Sequence, residues 1–301
     1  MLNRVFSVLV LAFLTASCNA VGPTYQRPDI PLEQRFALSP NDPLNTAAQD
    51  AWWLGLDDPL LDRLMTRALA QNLDVQTSVA RIRQAQAQLR ATGIGAQLSG
   101  DADLIARGTW TDTSESDTAQ ARIAPAFVLD LFGENQRRRE AAQAQLDRTV
   151  FDTAASRLAL QLAMVTNYVD LRYFQEIEAL QERSIRNQLR VVDAVRQREA
   201  LLAESKITMR RAEAELQLQR ALLPQIKQGQ NAAVLRLASL LAEPAAPLMR
   251  ELASKRAQPR PGHDAVPGLP IGLLKNRPDV RAAEAALRAA VAQVGVTEAQ
   301  L

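Results

Sequence analysis

From Glu134 to Leu223 the chain runs for 90 residues without a glycine or a proline. The stretch is rich in Ala, Leu, Gln, Glu and Arg, which occupy helix interiors at little cost. Apolar or aromatic residues recur at Leu158, Leu162, Val165, Val169, Tyr173, Ile177 and Leu180. Six steps cover 22 residues, about 3.67 per step, closer to a straight helix than to the 3.5 of a left-handed coiled coil. A single helix of this length would reach about 135 Å. The apolar rhythm breaks at Ala200–Lys206, which predicts a fold-back between two antiparallel helices at about 134–199 and 207–241. Periodicity alone does not separate a solvated, purely mechanical coiled coil from the wall of a duct.

The segment before this helix changes period. From Ser99 to Gly133, Ala102, Leu104, Ala106, Gly108 and Trp110 alternate with Asp103, Ile105, Arg107 and Thr109. Ala119, Ala121, Ile123, Pro125, Phe127, Leu129 and Leu131 alternate further on with Gln120, Arg122, Ala124, Ala126, Val128 and Asp130, and the polar stretch Thr111–Thr118 lies between. Two strands of roughly ten residues with a polar loop fit an outer-membrane β-hairpin, with a soluble hairpin as the alternative. In lipid, two strands cannot close their own edges, so a membrane role requires strands from other copies.

The chain also repeats itself. Leu69–Val75 resembles Leu274–Val280, and sliding the chain by 205 residues matches Ala80, Arg83, Ala85, Ala87, Gln88 and Thr92 with their counterparts. With Leu69, Asp74 and Val75 that gives nine identities. Asp74 and Asp279 both suit the first turn of a helix, where a carboxylate opposes the dipole. By repeat arithmetic a complete chain should reach about 460–470 residues, so these 301 read as a fragment or a truncated gene product.

The N-terminus has the layout of a secretion signal. Arg4 is followed by an apolar core, Val5–Leu14, too short to span a bilayer. Leu14-Thr15-Ala16-Ser17-Cys18 resembles a bacterial lipobox, although the Leu lies one position further from the Cys than usual. Cys18 is expected to carry a covalent lipid; the alternative is an ordinary signal with a chance Cys. It is the only Cys, so it forms no internal disulfide. A single His leaves no His-pair metal site and little for triad chemistry. With 35 Lys+Arg against 33 Asp+Glu, a net charge of +2 argues against nucleic acid as a partner. Without a phosphate-cradling Gly loop either, no enzyme, cofactor or metal is expected.

Several local matches carry a family resemblance. They are Val21-Gly22-Pro23-Thr24-Tyr25-Gln26-Arg27-Pro28, Trp52-Trp53 with Asp58–Leu64, Val128–Gly133, and Val266–Pro270 with Leu273–Val280. Together they resemble the TolC-like outer-membrane efflux proteins, specifically the NodT-type lipoproteins of RND efflux systems, over the family's N-terminal three-fifths. The resemblance implies a mainly α fold with a small β part. A long antiparallel α-helical hairpin would line a coiled-coil tunnel, and a transmembrane β-hairpin would join a trimeric 12-stranded barrel. It implies a passive exit duct for drugs or other small compounds, lipid-anchored in the outer membrane with a periplasmic extension. The implied partners are two further copies, a periplasmic adaptor and an inner-membrane RND pump.

Residue by residue, Cys18 is the expected anchor. Ala200, Leu201, Leu202, Ala203, Glu204, Ser205 and Lys206 are the candidate adaptor-contacting tip. The family usually carries a Gly and then an Asp there; here Leu202 and Thr208 stand in those places. Trp110 is a candidate barrel-rim aromatic, or equally a packing residue of a soluble hairpin. Trp52 and Trp53 are expected to be structural, Arg137–Arg139 a solvated basic face, and His263 without a role.

The expected organisation is a signal (1–17), an extended N-terminal segment (18–59) and first-repeat helices (60–98). A β-hairpin (99–133), the helical hairpin (134–243), a connector (244–270) and the start of a second repeat (271–301) follow. Two other readings stand beside the duct: a truncated, non-functional fragment of such a protein, and a periplasmic adaptor lipoprotein. An adaptor should flank its hairpin with lipoyl-like and barrel segments, where this chain returns to Ala/Leu helix.

Overall fold

The computed structural model describes residues 20–28, 51–92, 98–111, 114–127, 130, 132–254, 256–260 and 276–301. The expected signal, Cys18, His263 and the connector's last ten residues, 261–270, lie outside these residues. The described elements are α1 (Pro59–Gln71), α2 (Leu73–Ala91), β1 (Leu98–Thr111) and β2 (Ser114–Phe127). They continue with α3 (Glu134–Ala200), α4 (Lys206–Ala221), α5 (Leu223–Leu241), α6 (Ala245–Leu252) and α7 (Pro278–Ala299). The chain divides into two compact units. One takes Met1–Gln34, Ser78–Ala154 and Pro270–Leu301, and the other Arg35–Thr77 and Ala155–Leu269.

The second unit has the larger apolar core. Leu60, Leu61, Leu64, Met65 and Ala68 of α1 meet Leu160, Met164, Tyr168 and Leu171 of α3. Val234, Leu237 and Leu241 of α5, with Leu248 and Leu252 of α6, complete it. Trp53 is buried here, in a short 3-10 helix Trp52–Leu56, while Trp52 Nε1 donates to Gln161 Oε1 at 3.0 Å. Both are structural, as expected. The span expected to be extended up to residue 59 therefore includes this 3-10 helix, and α1 begins at Pro59, where a proline at the first helical position costs no hydrogen bond.

α3 and α4 form the expected fold-back. Val192, Met209 and Leu216 make a second apolar cluster. Gln188 Nε2 reaches Ala212 O, and Gln181 Nε2 reaches Gln219 O, which fixes the antiparallel register. The return arm is not the single helix expected at 207–241: it breaks at Leu222, with Pro224 in the first turn of α5. Proline has no N–H to give the preceding turn. The expected connector also begins with a helix, α6, because the left-handed Ala242 ends α5 and the extended Pro244 starts a new helix.

The face of α3 that is buried is not the apolar stripe of the sequence. Leu158, Leu162, Tyr173 and Leu180 are exposed. The buried line instead runs through Leu160, Gln161, Met164, Tyr168, Leu171, Arg172, Gln175 and Glu178. Half of that line is polar, so a hydrophobic count passes over it.

In the first unit β1 and β2 are 14 residues each and pair antiparallel from Leu98↔Phe127 to Thr111↔Ser114. This corrects the ten-residue strands and eight-residue loop: Ser114–Thr118 pairs with β1 rather than looping. Thr and Ser fit an extended backbone, and pairing satisfies N–H and C=O groups that a loop would leave to water. The two apolar alternations share one face, with Ala102 opposite Ile123, Leu104 opposite Ala121 and Ala106 opposite Ala119.

The repeat is present in the backbone. Asn72, before α2, has φ −60 and ψ 127; Arg277, 205 residues later and before α7, has φ −62 and ψ 126. The chemistry differs. Asn72 Oδ1 accepts from Asp74 N and Val75 N, and its Nδ2 donates to Leu240 O at 2.9 Å. At the second copy Arg277 forks onto Asp279, whose Oδ1 accepts from Val280 N.

Candidate functional site

The candidate tip is where the sequence placed it. α3 ends at Ala200 and α4 starts at Lys206. Leu202 N donates to Glu199 O at 2.9 Å, and Ala203 N donates to Arg198 O at 2.8 Å. This paired pattern is a Schellman stop, which calls for a left-handed residue. Leu202 fills that position at φ +61, where a side chain costs about 1–2 kcal/mol. Ser205 then caps α4, its Oγ accepting from Thr208 N at 3.2 Å. The tip is apolar outward: Leu202 is 94% exposed and Leu201 78%, and Ile207 is also exposed. Ile207 lines a shallow depression with Lys206, Arg210, Arg211 and Ala214. Arg210 pairs with Glu213 and Arg196 with Asp193.

The β-hairpin likewise offers apolar groups to its surroundings. Leu104 is 82% exposed and Ile123 80%, on the same face. A water-facing sheet does not gather such residues on one face at random. Trp110 stands in β1 opposite Glu115; its side chain lies outside the described residues, as does Cys18.

Two polar centres escaped the sequence reading. The first is in the core of the second unit. Asp58 Oδ1 caps α1 through Leu60 N and Leu61 N, and its Oδ2 accepts from Tyr168 Oη at 2.6 Å. Arg172, fully buried, donates to Tyr168 Oη, Gln175 Oε1 and Ser254 O. Its guanidinium carbon also lies 4.9 Å from the centre of the Tyr168 ring. Burial pushes the Asp58 carboxyl up, but hydrogen bonds from Tyr168, Leu60 and Leu61 and the nearby Arg172 charge together hold it below the ordinary value. Burial and the bond to Asp58 push the Tyr168 hydroxyl up to about 12. The only signal in the sequence was a set of polar residues at helical spacing, Tyr168, Arg172 and Gln175.

The second centre is Arg137, in the first unit. The sequence reading placed the run Arg137–Arg139 on a solvated face, but Arg137 is buried. Its Nε donates to Val21 O at 3.0 Å, its Nη2 to Ala20 O and Gly22 O, and its Nη1 to Glu140 Oε2 at 2.8 Å. Only Arg138, paired with Glu134, and the exposed Arg139 fit the expectation. Among the described residues no group of three His, Cys, Asp or Glu side chains is placed to hold a metal ion.

A long antiparallel helical hairpin, a two-stranded β-hairpin with exposed apolar residues on one face and a repeated helix start make up the part of an outer-membrane channel fold that this chain spans. By sequence and fold, the chain is a relative of the TolC-like, NodT-type outer-membrane efflux proteins. It is 30% identical over 300 residues to nodulation protein T of Rhizobium leguminosarum bv. trifolii, covering 96% of this chain and 63% of that protein. It is 29% identical over 264 residues to the pyoverdine export outer membrane protein OpmQ of Pseudomonas aeruginosa, covering 83% of this chain and 55% of OpmQ. The solved outer-membrane channel OprN superposes with a TM-score of 0.81 at 29% identity, over 93% of this chain and 64% of that one. No protein-family model matches the chain. The chain thus spans about three-fifths of the length of the curated relatives it matches, 63% and 61% for the two nodulation T proteins.

Proposed function

We propose that the chain forms part of an exit duct in the outer membrane of a tripartite RND-type efflux system, passing drugs or other small compounds outward without catalysing a reaction. The observation that carries this reading is the superposition on the OprN channel over 93% of the chain. In this reading Cys18 bears a covalent lipid, and the working duct is a homotrimer. The hairpin of β1 and β2 contributes to the shared barrel. Its exposed Leu104 and Ile123 suit a lipid-facing surface, and strands of 14 residues exceed the ~9–11 that a tilted strand needs to cross a bilayer. Trp110 belongs to the aromatic rim. The apolar tip Leu201–Leu202, with Ser205 and Lys206, meets a periplasmic adaptor, which links the duct to an inner-membrane RND pump.

The test is expression of the full gene, with its native signal, in a Gram-negative strain lacking its own efflux ducts. The expected result is palmitate labelling that Cys18→Ser abolishes, a cross-linked trimer in the outer-membrane fraction and restored export of a fluorescent dye. A product that stays monomeric and periplasmic while the strain keeps its dye overturns the reading.

A further inference from the structure

We infer that residues 20–28 form a strap that staples α7, the second-repeat helix, to the start of α3, with Arg137 as the residue that positions it. The strap is fixed at three points. Val21 N donates to Phe132 O at 3.1 Å, just ahead of α3. The Arg137 guanidinium gathers the carbonyls of Ala20, Val21 and Gly22. Further along, Glu284 of α7 accepts from Tyr25 Oη at 3.2 Å and from Arg27 Nη2 at 2.8 Å. The strap therefore touches both helices, and its strongest attachment to α3 is to backbone atoms.

Two glycines show how tightly the three pieces meet. A Cβ on Gly22 would lie 2.5 Å from Gly295 Cα of α7, and Gly22 already has φ +95. A Cβ on Gly295 would lie 3.0 Å from Cγ, Cδ and Nε of Arg137. Strap, arginine and α7 thus share one contact: a side chain at Gly22 would run into backbone, and one at Gly295 would make Arg137 shift. Other direct links between α3 and α7 are Arg288 with Asp147 at 3.2 Å, Gln300 with Glu134 at 2.6 Å, and Arg281 over the Phe151 ring at 4.3 Å. Exposed ion pairs of this kind contribute little, whereas the planar fork of a buried arginine on three part-buried carbonyls is hard to replace. The buried polar part of the joint is Arg137, which meets Gly295 of α7 and holds the strap carbonyls.

The experiment is hydrogen exchange on the full-length protein, comparing wild type with Arg137→Ala. Amides of residues 21–25 and of α7 from Ala282 to Val296 are expected to speed up together, by about tenfold or more, while those of α1 and α5 stay unchanged. Should the strap loosen while α7 keeps its protection, or should neither change, the inference is overturned. Arg137→Lys keeps the charge but not the fork, so wild-type protection of both segments in that variant also overturns it. If Arg137→Ala fails to fold, Gly22→Ala attacks the same contact from the strap side. Joint loosening supports the staple, and unchanged exchange in both segments refutes it.

Discussion

Arg172 and Arg137 lie on one helix, both buried, and are used in opposite ways. Arg172 sits inside a packed apolar core and closes a relay of side chains: Asp58, Tyr168 and Gln175. Arg137 sits where apolar packing is thin, between two glycines and an extended segment, and three of its four bonds go to backbone carbonyls. The first depends on the identity of its partners. The second depends only on the path of the chain. A buried arginine in this fold is thus either part of a charge-compensated network or a clasp on a backbone, and the two respond to different perturbations.

The sharpest break is Arg172→Ala. It leaves Asp58 buried without its nearby cation and takes the Arg172 bond from Gln175 Oε1 and Ser254 O; loss of about 3–5 kcal/mol is expected, read from the denaturant midpoint. Arg137→Ala removes no partner of a buried carboxylate and leaves three carbonyls and the exposed Glu140 carboxylate unmade, so about 1–3 kcal/mol is expected. Equal losses in the two variants would erase the distinction. Gly295→Ala, which pushes a methyl against Arg137, is expected to cost about 1–3 kcal/mol.

Acid and base separate the two sites further. The folded pKa of Asp58 is depressed, so its contribution is present above the unfolded value near 4 and is lost as pH falls through the folded value. That of Tyr168 is raised, so its contribution is present below about 10 and is lost as pH climbs toward about 12. Tyr168→Phe should flatten the alkaline slope and blunt the acid one in a pH series of thermal melts. The Arg137→Ala variant should keep both slopes. The smallest effect belongs to the tip, outside both sites. Leu202→Gly relieves the left-handed side chain and is expected to stabilise by about 1 kcal/mol. A destabilised Leu202→Gly protein would mean that the leucine is packed rather than strained.

What the sequence revealed follows from how each feature is encoded. The fold-back at 200–206 showed because it interrupts a rhythm, and the repeat showed because the Leu-x-x-x-x-Asp-Val lead-in survives at both copies. The backbone agreement of Asn72 and Arg277 bears this out, although different side chains produce it. The strand pair showed as alternation, but its length did not, since Ser114–Thr118 looks like loop by composition and joins a ladder through backbone bonds. The buried face of α3 was hidden because it is half polar. Arg137 was misread for a related reason: three consecutive arginines suggest solvent, and nothing local announces that carbonyls from 115 residues or more away along the chain converge on one of them.

The strap also bears on load. Ala20 lies two residues after Cys18, so if that thiol is acylated as proposed, any drag from a shifting lipid leaflet enters the protein at the very carbonyls that Arg137 holds. Three bonds converging on one guanidinium are strained together, not one after another. Arg137 would then serve as the strain relief on a cable, taking tension at the collar before it reaches the helices behind.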